Sequence, residues 1–561
     1  MIPWRRGWQS WLPELIGAGL GLLLLGGLWL QRHPVLLGAA VREATPEPLQ
    51  SQPLASDVLL LLSPGEIARQ AAAPLATRGW SAWWINLLEQ EVGPFVLLRT
   101  DEATPADLLT ARVVVVADGA WEELAPSVQA GLQQLLAQGG VVLAERPLGG
   151  RLQGPNLLEL PRSPLPELVQ QQQGTFVPPS QAARRGVPPG QIQTTDLALP
   201  GPACPREPFA DRQERLLWAQ VGQRLLLPAW WPFPRAAAGV VALTYDEEGF
   251  GDRSAWMAEQ TAAAGLGATF FVLPAGGLTP AGARRLVALG GDLQVHWNRG
   301  FFGQRTDVPL GLGPFIFARS ELSLAEQRAA VEELLPPPRR IWLNRNHGLL
   351  WDAPWATSFR QLAAAGLLAD STYGPAGPGR CGYLFGTGLP FRPLDRSGFP
   401  FALYEVPFLF QDDEEYTAAF QLELLQRSQA GDHQLLTVIY HTNTMARVPA
   451  ADRIQGWLDL PAQARATEHL VLDLGTFLRF YWARNQSRLL SSFREGVLQV
   501  DAEAVAAGLT LRLPEVAPDG TRPVALRLDG QPVPLATTVR RAGSLLLPLE
   551  RGRHAVTVSY R

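Results

Sequence analysis

The sequence predicts an α/β protein whose largest unit is a barrel-like or open sheet of strands interleaved with helices. Three observations predict it. Between residues 236 and 485, short apolar runs alternate repeatedly with helical patterns, the order that builds a helix-covered sheet. The first run, Gly239 to Leu243, leads into Thr244-Tyr245-Asp246-Glu247-Glu248-Gly249. Acids at the mouth of a strand, before a glycine turn, sit where α/β folds place metal ligands and catalytic bases. Three of the seven histidines, His296, His347 and His441, also fall at the ends of predicted strands.

At the N-terminus, Leu15 to Leu30 is an uncharged run rich in Leu and Gly, flanked by Trp8, Trp11 and Trp29 as interfacial aromatics would be. Residues 1–33 are therefore expected to form a single-pass membrane anchor, with the bulk of the chain extracytoplasmic, in the periplasm or at the cell surface. A cleaved signal peptide with Gly38-Ala39-Ala40 as its processing site is the rival, and a buried core helix the ordinary alternative. Residues 34–55, with their Pro, Gln and Ser, read as a linker.

Residues 56–235 begin with regular alternation. Asp57 to Leu62 reads as a buried strand, Gly65 to Ala73 as a helix started by Ser63 and Pro64, and Trp80 to Leu87 as a strand. Val113 to Val116 is a further strand, Ser127 to Gln138 a helix, and Gly140 to Ala144 another strand. The pattern resembles the flavodoxin-like domains related to glutamine amidotransferases. It carries no nucleophile after a strand, so an accessory role is expected. An irregular extension follows, with the glutamine run Gln170 to Gln173 and Trp230-Trp231-Pro232-Phe233-Pro234. Such aromatics can stack on sugars, but packing is their more ordinary use.

Residues 236–488 carry strands expected at 239–245, 268–273, 292–297, 340–345, 367–372, 403–410 and 435–441. Helices are expected at 254–265, 279–289, 323–334, 355–365, 415–429 and 464–483. Residues 489–561 change to short strands split by Gly and Pro, which reads as a small antiparallel β-sandwich.

The bulk composition bounds the function. At 561 residues the chain is long enough for several domains, and 47% hydrophobic content supplies their cores. A net charge of −4 gives no basic field for nucleic acid. All basic charge is arginine, which reads as codon bias. Two isolated cysteines, Cys204 and Cys381, most often mean no disulfide, though an oxidising compartment would allow one.

The ordered segments of residues 238–445 resemble the polysaccharide deacetylases, the NodB-homology carbohydrate esterases. Thr244-Tyr245-Asp246-Glu247 is similar to their Thr-Phe-Asp-Asp motif, and Ala268-Thr269-Phe270-Phe271-Val272 to the strand that follows it. His296 falls at the family's His-x-x-x-His motif, Arg345-Asn346-His347-Gly348 at its arginine motif, Asp370-Ser371 at its Asp-Ser segment, and Tyr440-His441 at its closing histidine motif. The resemblance implies a deacetylase-type (β/α) barrel. It implies Asp246 as general base, Arg345 holding that base ionised and oriented, and His441 as general acid. It also implies a divalent metal, zinc or another first-row ion, on His296 and on Glu247 or Glu248. Strand alternation puts Asp246 and Glu248 on one side if the strand continues.

There are departures from the family pattern. The second metal histidine would be residue 300, which is Gly300. Glu replaces Asp in the metal-acid slot, and Asn346 replaces the proline. His347, Asp292 or the spare glutamate would have to supply the missing ligand. Each residue also has an ordinary reading: a solvated turn for Glu247 and Glu248, a hydrogen-bonded core imidazole for His296, a turn cap for His347 or Asp370, a structural ion pair for Arg345. The expected function is a membrane-anchored, metal-dependent deacetylase-like hydrolase acting on an acetylated envelope polysaccharide or exopolysaccharide. The alternatives are an inactive deacetylase fold that binds glycan or serves assembly, and a glycosidase using two of the motif acids.

Overall fold

The computed structural model describes residues 56–73, 78–173, 192–193, 204–274, 277–298, 322–336, 340–351, 356–375, 381–412, 418–447 and 451–561. The expected anchor, linker and processing site lie outside the described residues. Among the described residues no helix is long and apolar enough to cross a membrane.

Five parallel strands come first: β1 Val58–Leu62, β2 Val96–Arg99, β3 Val113–Val116, β4 Val141–Ala144 and β5 Leu157–Glu159, in the order β2-β1-β3-β4-β5. β1, β3 and β4 are Val, Leu and Ala runs buried along their whole length, as a sheet covered on both faces requires. The strand expected over residues 80–87 is instead a 3₁₀ turn, Ser81–Trp83, running into the helix Trp84–Glu91. Every residue of that helix is buried. Its sequence therefore lacks the polar face by which a helix is told from a strand.

Two short strands follow, β6 Ile192–Gln193 and β7 Ala229–Trp230. The central unit then contributes β8 Gly239–Glu247, β9 Ala268–Val272, β10 Gly291–Trp297, β11 Leu343–Asn346, β12 Leu350–Trp351, β13 Ala369–Asp370, β14 Tyr404–Glu405, β15 Phe408–Gln411, β16 Leu435–His441 and β17 His469–Asp473. β12 pairs with β6. The others form a nine-stranded parallel sheet ordered β14-β13-β11-β10-β9-β8-β16-β15, with β17 also on β8. The two ends of this order, β14 and β15, are separated in the chain only by Val406 and Pro407. Backbone bonds from Val406 N to Asp370 O and from Phe408 N to Tyr373 O, at 2.8 and 2.9 Å, hold that segment against β13, so the sheet curls round on itself.

Gly239 is required where β8, β16 and β17 meet. A Cβ there would lie 2.4 Å from the Gln434 carbonyl and 2.8 Å from the His469 ring. The helix expected over residues 464–483 is divided. The helix Ala451–Ala466 ends, Glu468 takes a positive φ of 58°, β17 follows, and the helix Leu474–Asn485 starts at Asp473, whose carboxylate accepts from Thr476 N at 2.7 Å. A short apolar strand between two helices merges with them when only the helical period is followed.

The last strands are β18 Arg488–Arg494, β19 Val497–Ala504, β20 Leu509–Pro514, β21 Pro523–Leu528, β22 Gln531–Val533, β23 Val539–Arg541, β24 Ser544–Leu549 and β25 Gly552–Tyr560. They form two antiparallel sheets, β18-β19-β25-β21-β22 and β23-β24-β20-β7. β7 thus ties the segment before the central sheet to the C-terminal unit. Arg484 binds the three regions together. Its fully buried guanidinium donates to Glu89 O, to Gln90 O at 3.0 Å and to Trp230 O at 2.7 Å. The first two are orphan carbonyls at the C-terminal end of the helix Trp84–Glu91, which a buried helix end must have satisfied.

Cys204 and Cys381 are joined in a disulfide, with Cα atoms 4.5 Å apart and 177 residues between them in sequence. This overturns the expectation of unpaired cysteines, because the fold brings together two residues that sequence spacing kept apart. Closing so long a loop restricts the unfolded chain. Cys381→Ser is expected to lower stability by about 2–5 kcal/mol, read as a lower denaturant midpoint with an equal loss in the wild type under reducing conditions.

Candidate metal and acid-base site

The strands of a parallel sheet deliver functional side chains at their carboxyl ends. β8 does so through a two-residue period. Thr244 and Asp246 turn to one face; Tyr245 turns to the other, where its hydroxyl meets Thr261 Oγ1 and Trp457 Nε1. Glu248 follows the strand on the Asp246 side. The chain then turns away through Gly249 and Gly251, both at positive φ, a conformation that glycine takes at little cost. Asn443 Nδ2 donates to the Glu248 carbonyl at 3.1 Å and fixes the turn.

The registers bring the partners alongside. His441 on β16 is opposite Asp246, and His296 on β10 is opposite Arg345 on β11. Arg345 Nη1 donates to Asp246 Oδ1 at 2.7 Å and to Thr244 Oγ1 at 2.9 Å; Nε donates to Ser371 O at 2.8 Å. Its guanidinium lies 4.2 Å from the Phe271 ring centroid. Burial pulls this guanidinium below its ordinary value, and Asp246 opposes that.

Glu248 Oε1 is 3.3 Å from His296 Nε2, 3.4 Å from His347 Nε2 and 3.9 Å from His441 Nε2. Asp246 Oδ2 is 3.8 Å from His296 Nε2. The ligand atoms of Glu248, His296 and His347 all lie within 4.8 Å of one another, and so do those of Asp246, Glu248 and His441. Burial alone would raise the Glu248 carboxyl. The surrounding imidazoles of His441, His347 and His296 outweigh it and hold the group well below the usual carboxylate range. Burial pushes His347 down to about 4, so at neutral pH it is an uncharged imidazole with a free lone pair.

This donor set fits a divalent cation. A carboxylate and two histidines are a common zinc set, and His296 is already oriented for it: its Nδ1 lies 2.9 Å from the Arg345 carbonyl and donates there, which turns Nε2 toward the cluster, 3.3 Å from Glu248 Oε1. His347 Nδ1 has no hydrogen-bond partner among the described residues.

The structure thus brings Asp246, Glu248, His296, Arg345, His347 and His441 to one place and sets Glu247 apart. Glu247 is a correction to the expected ligand set. One residue before Glu248, it faces the opposite side, where Oε1 accepts from Gly251 N at 2.6 Å. Burial raises it to about 7, against backbone hydrogen bonds from Gly251 and Phe250 that lower it. It closes the turn and does not reach the histidines. Asp292, a possible replacement ligand, lies at the start of β10 beside Thr269 and Gln294, at the far end of the sheet.

One residue was invisible to the motif reading. Asp412 follows β15 and grips His441: Oδ1 takes Nδ1–H at 2.6 Å and Oδ2 takes the backbone N–H at 2.9 Å. The signal for it existed. Phe408-Leu409-Phe410 is an apolar run followed by acids, the pattern that marks Asp246. It opens Asp412-Asp413-Glu414-Glu415, which reads as a charged loop.

No protein-family model matches this chain, and no curated protein matches it. Solved structures similar to it include polysaccharide and peptidoglycan deacetylases. One is a family 4 carbohydrate esterase from Streptomyces lividans in complex with acetate, at 14% identity over 42% of this chain and 93% of that one, with a TM-score of 0.25. Another, from Bordetella bronchiseptica, is described as a polysaccharide deacetylase involved in O-antigen biosynthesis, at 19% identity over 44% and 92%, with a TM-score of 0.24. A peptidoglycan deacetylase from Bacillus subtilis matches at 11% identity over 44% and 92%, also at 0.24.

Proposed function

We propose that the chain is a deacetylase-like hydrolase that removes acetyl groups from an envelope or extracellular glycan. The observation that carries this reading is the convergence of Asp246, Glu248, His296, His347 and His441 within ligand distance at the mouth of one curled sheet. Glu248, His296 and His347 would hold a divalent cation, with zinc the ion this donor set suits best. Such a cation, when bound, supplies Lewis acidity toward an acetyl carbonyl and toward water.

The chain's own residues do the rest. Arg345, itself held by Thr244 Oγ1, fixes Asp246: Nη1 donates to Oδ1 while Oδ2 looks toward the cluster. Asp246 is thereby aimed as general base for the attacking water. On the opposite side Asp412 accepts from His441 Nδ1, which selects the tautomer and orients Nε2 toward Glu248. An imidazolium formed there is stabilised by Asp412 and gives its proton to the departing amine or alcohol. Asp412→Asn is expected to lower kcat by about 10²-fold or more with KM little changed, measured by acetate release.

The surrounding units take supporting roles in this reading. The parallel order β2-β1-β3-β4-β5 supports a flavodoxin-like accessory unit, and the two C-terminal antiparallel sheets support a β-sandwich appendage. The Cys204–Cys381 disulfide supports an oxidising, extracytoplasmic location.

The test is acetate release from acetylated chitooligosaccharides and acetylated polysaccharide by the purified full-length chain, with its metal content measured in parallel. Acetate without new reducing ends supports the proposal. New reducing ends would make the chain a glycosidase. Absence of both acetate and metal would leave an inactive fold that binds glycan.

A further inference from the structure

Beneath the site lies a pair of carboxyl groups that the reaction described above does not use. Asp370 on β13 and Glu405 on β14 are register partners on adjacent parallel strands, both fully buried. Consecutive backbone amides set their carboxyl groups side by side: Thr372 N donates to Asp370 Oδ2 and Tyr373 N to Glu405 Oε1. Two neighbouring carboxylates in a dry interior disfavour being ionised together, which points to one proton held by the pair.

The hydrogen bonds say which residue owns it. Both oxygens of Asp370 are acceptors: Oδ1 from Asn344 Nδ2 at 2.6 Å and Oδ2 from Thr372 N at 3.0 Å. Glu405 Oε1 accepts from Tyr373 N at 2.9 Å, whereas Oε2 meets no N–H or O–H donor among the described residues. Glu405 Oε2 is therefore the oxygen free to carry hydrogen, and Asp370 is the anion that receives it. Burial, and then the neighbouring Asp370, raise Glu405 well above its ordinary value.

The pair bears on the site through Arg345. That guanidinium is flanked by Asp246, which it bonds, and by Asp370 and Glu405, which act on it through space. Its Nη2 and Nε are held by Ser371, the residue after Asp370. Two ionised carboxylates behind Arg345 would compete with Asp246 for its charge; one ionised and one neutral group compete less.

We propose that Glu405 is a proton-bearing positioning residue: its neutral carboxyl donates to Asp370, and the pair together holds Arg345 in the orientation that serves Asp246. The first half stands on register, burial and the donors that each carboxyl meets; the second rests on the deacetylase reading.

The experiment compares the full-length wild type with Glu405→Gln, Glu405→Ala and Asp370→Asn at neutral pH. Glutamine is the isostere of neutral Glu405 and can donate to Asp370 while accepting from Tyr373. The infrared difference between wild type and Glu405→Gln is expected to show the loss of one carbonyl stretch of a neutral carboxylic acid. Loss of carboxylate bands instead, or failure of Glu405→Gln to fold, overturns the assignment. In turnover, Glu405→Gln is expected to keep kcat within about threefold, while Glu405→Ala and Asp370→Asn lose about tenfold or more at little change in KM. Asparagine at 370 would set an amide N–H against the donor of Thr372 or Asn344. Equal losses in Glu405→Gln and Glu405→Ala overturn the positioning role. A wild type that releases no acetate ends the deacetylase reading and the positioning role with it, while the infrared band still decides the proton.

Discussion

Replacing Asp246 with Asn is expected to cut acetate release by about 10²–10⁴-fold, the range a positioned general base contributes, with the fold and the metal content unchanged. The geometry separates these outcomes. Asp246 is buried, bonded to Arg345 at 2.7 Å through Oδ1, and directed at the cluster through Oδ2. An Asn side chain keeps the shape and can still accept from Arg345 through its amide oxygen. It cannot take a proton from water. Of the two groups able to hold an ion, the proposed one, Glu248, His296 and His347, leaves Asp246 out, whereas the other, Asp246, Glu248 and His441, includes it; on the proposed set, metal content measured on the purified variant should match the wild type. Full activity in Asp246→Asn would remove this residue as the base. Loss of metal together with activity would move Asp246 into the ligand set.

The second large effect concerns His347. His347→Ala is expected to weaken metal binding by about a hundredfold or more, since even removal of a partner that only orients a ligand typically costs 10- to 100-fold. His347 stands in β11's exit turn, two residues after Arg345 and 3.4 Å from Glu248. In the resembled family the third donor would be a histidine at position 300, where this chain has Gly300. The ring of His347 lies 5.3 Å from that of His296, centroid to centroid, which puts its nitrogen within reach of the same cation. Zinc titration of wild type and variant, read as a dissociation constant without reference to turnover, tests the substitution of one ligand position for another. Equal affinity in the two proteins would mean that His347 is a packed core histidine and that the cation, if any, is held otherwise.

Much of this was legible in the chain because strand chemistry is local. Runs such as Gly239 to Leu243 and Leu435 to Tyr440 are predominantly apolar and buried at every position, a mark of strands covered on both faces, and their polar ends announce where chemistry can sit. Alternation along β8 put Asp246 and Glu248 on one side if the strand continued, but it left Glu247 and Glu248 both open as the metal acid, and only the coordinates separate them. Asp412 was passed over, although the apolar run Phe408-Leu409-Phe410 leads to it. Its value lies in a contact with His441 across two strands 29 residues apart, while locally it opens a run of four acids. The helix Trp84–Glu91 was misread for a different reason: burial on all sides removes the periodicity on which a sequence assignment depends.

The amino-acid order by itself determined most strands of the covered parallel sheet, though not β17 or the helical state of Trp84–Glu91, and set Asp246, Glu248, His296 and His441 at strand carboxyl ends, because both follow from hydrophobic runs and a two-residue period. Tertiary structure alone decided that His347 and not Asp292 joins Glu248, that Cys204 meets Cys381, that Asp412 grips His441 and that Glu405 faces Asp370. Those are meetings between side chains distant in sequence, and only the register and curl of the sheet bring them within a hydrogen bond's length of each other.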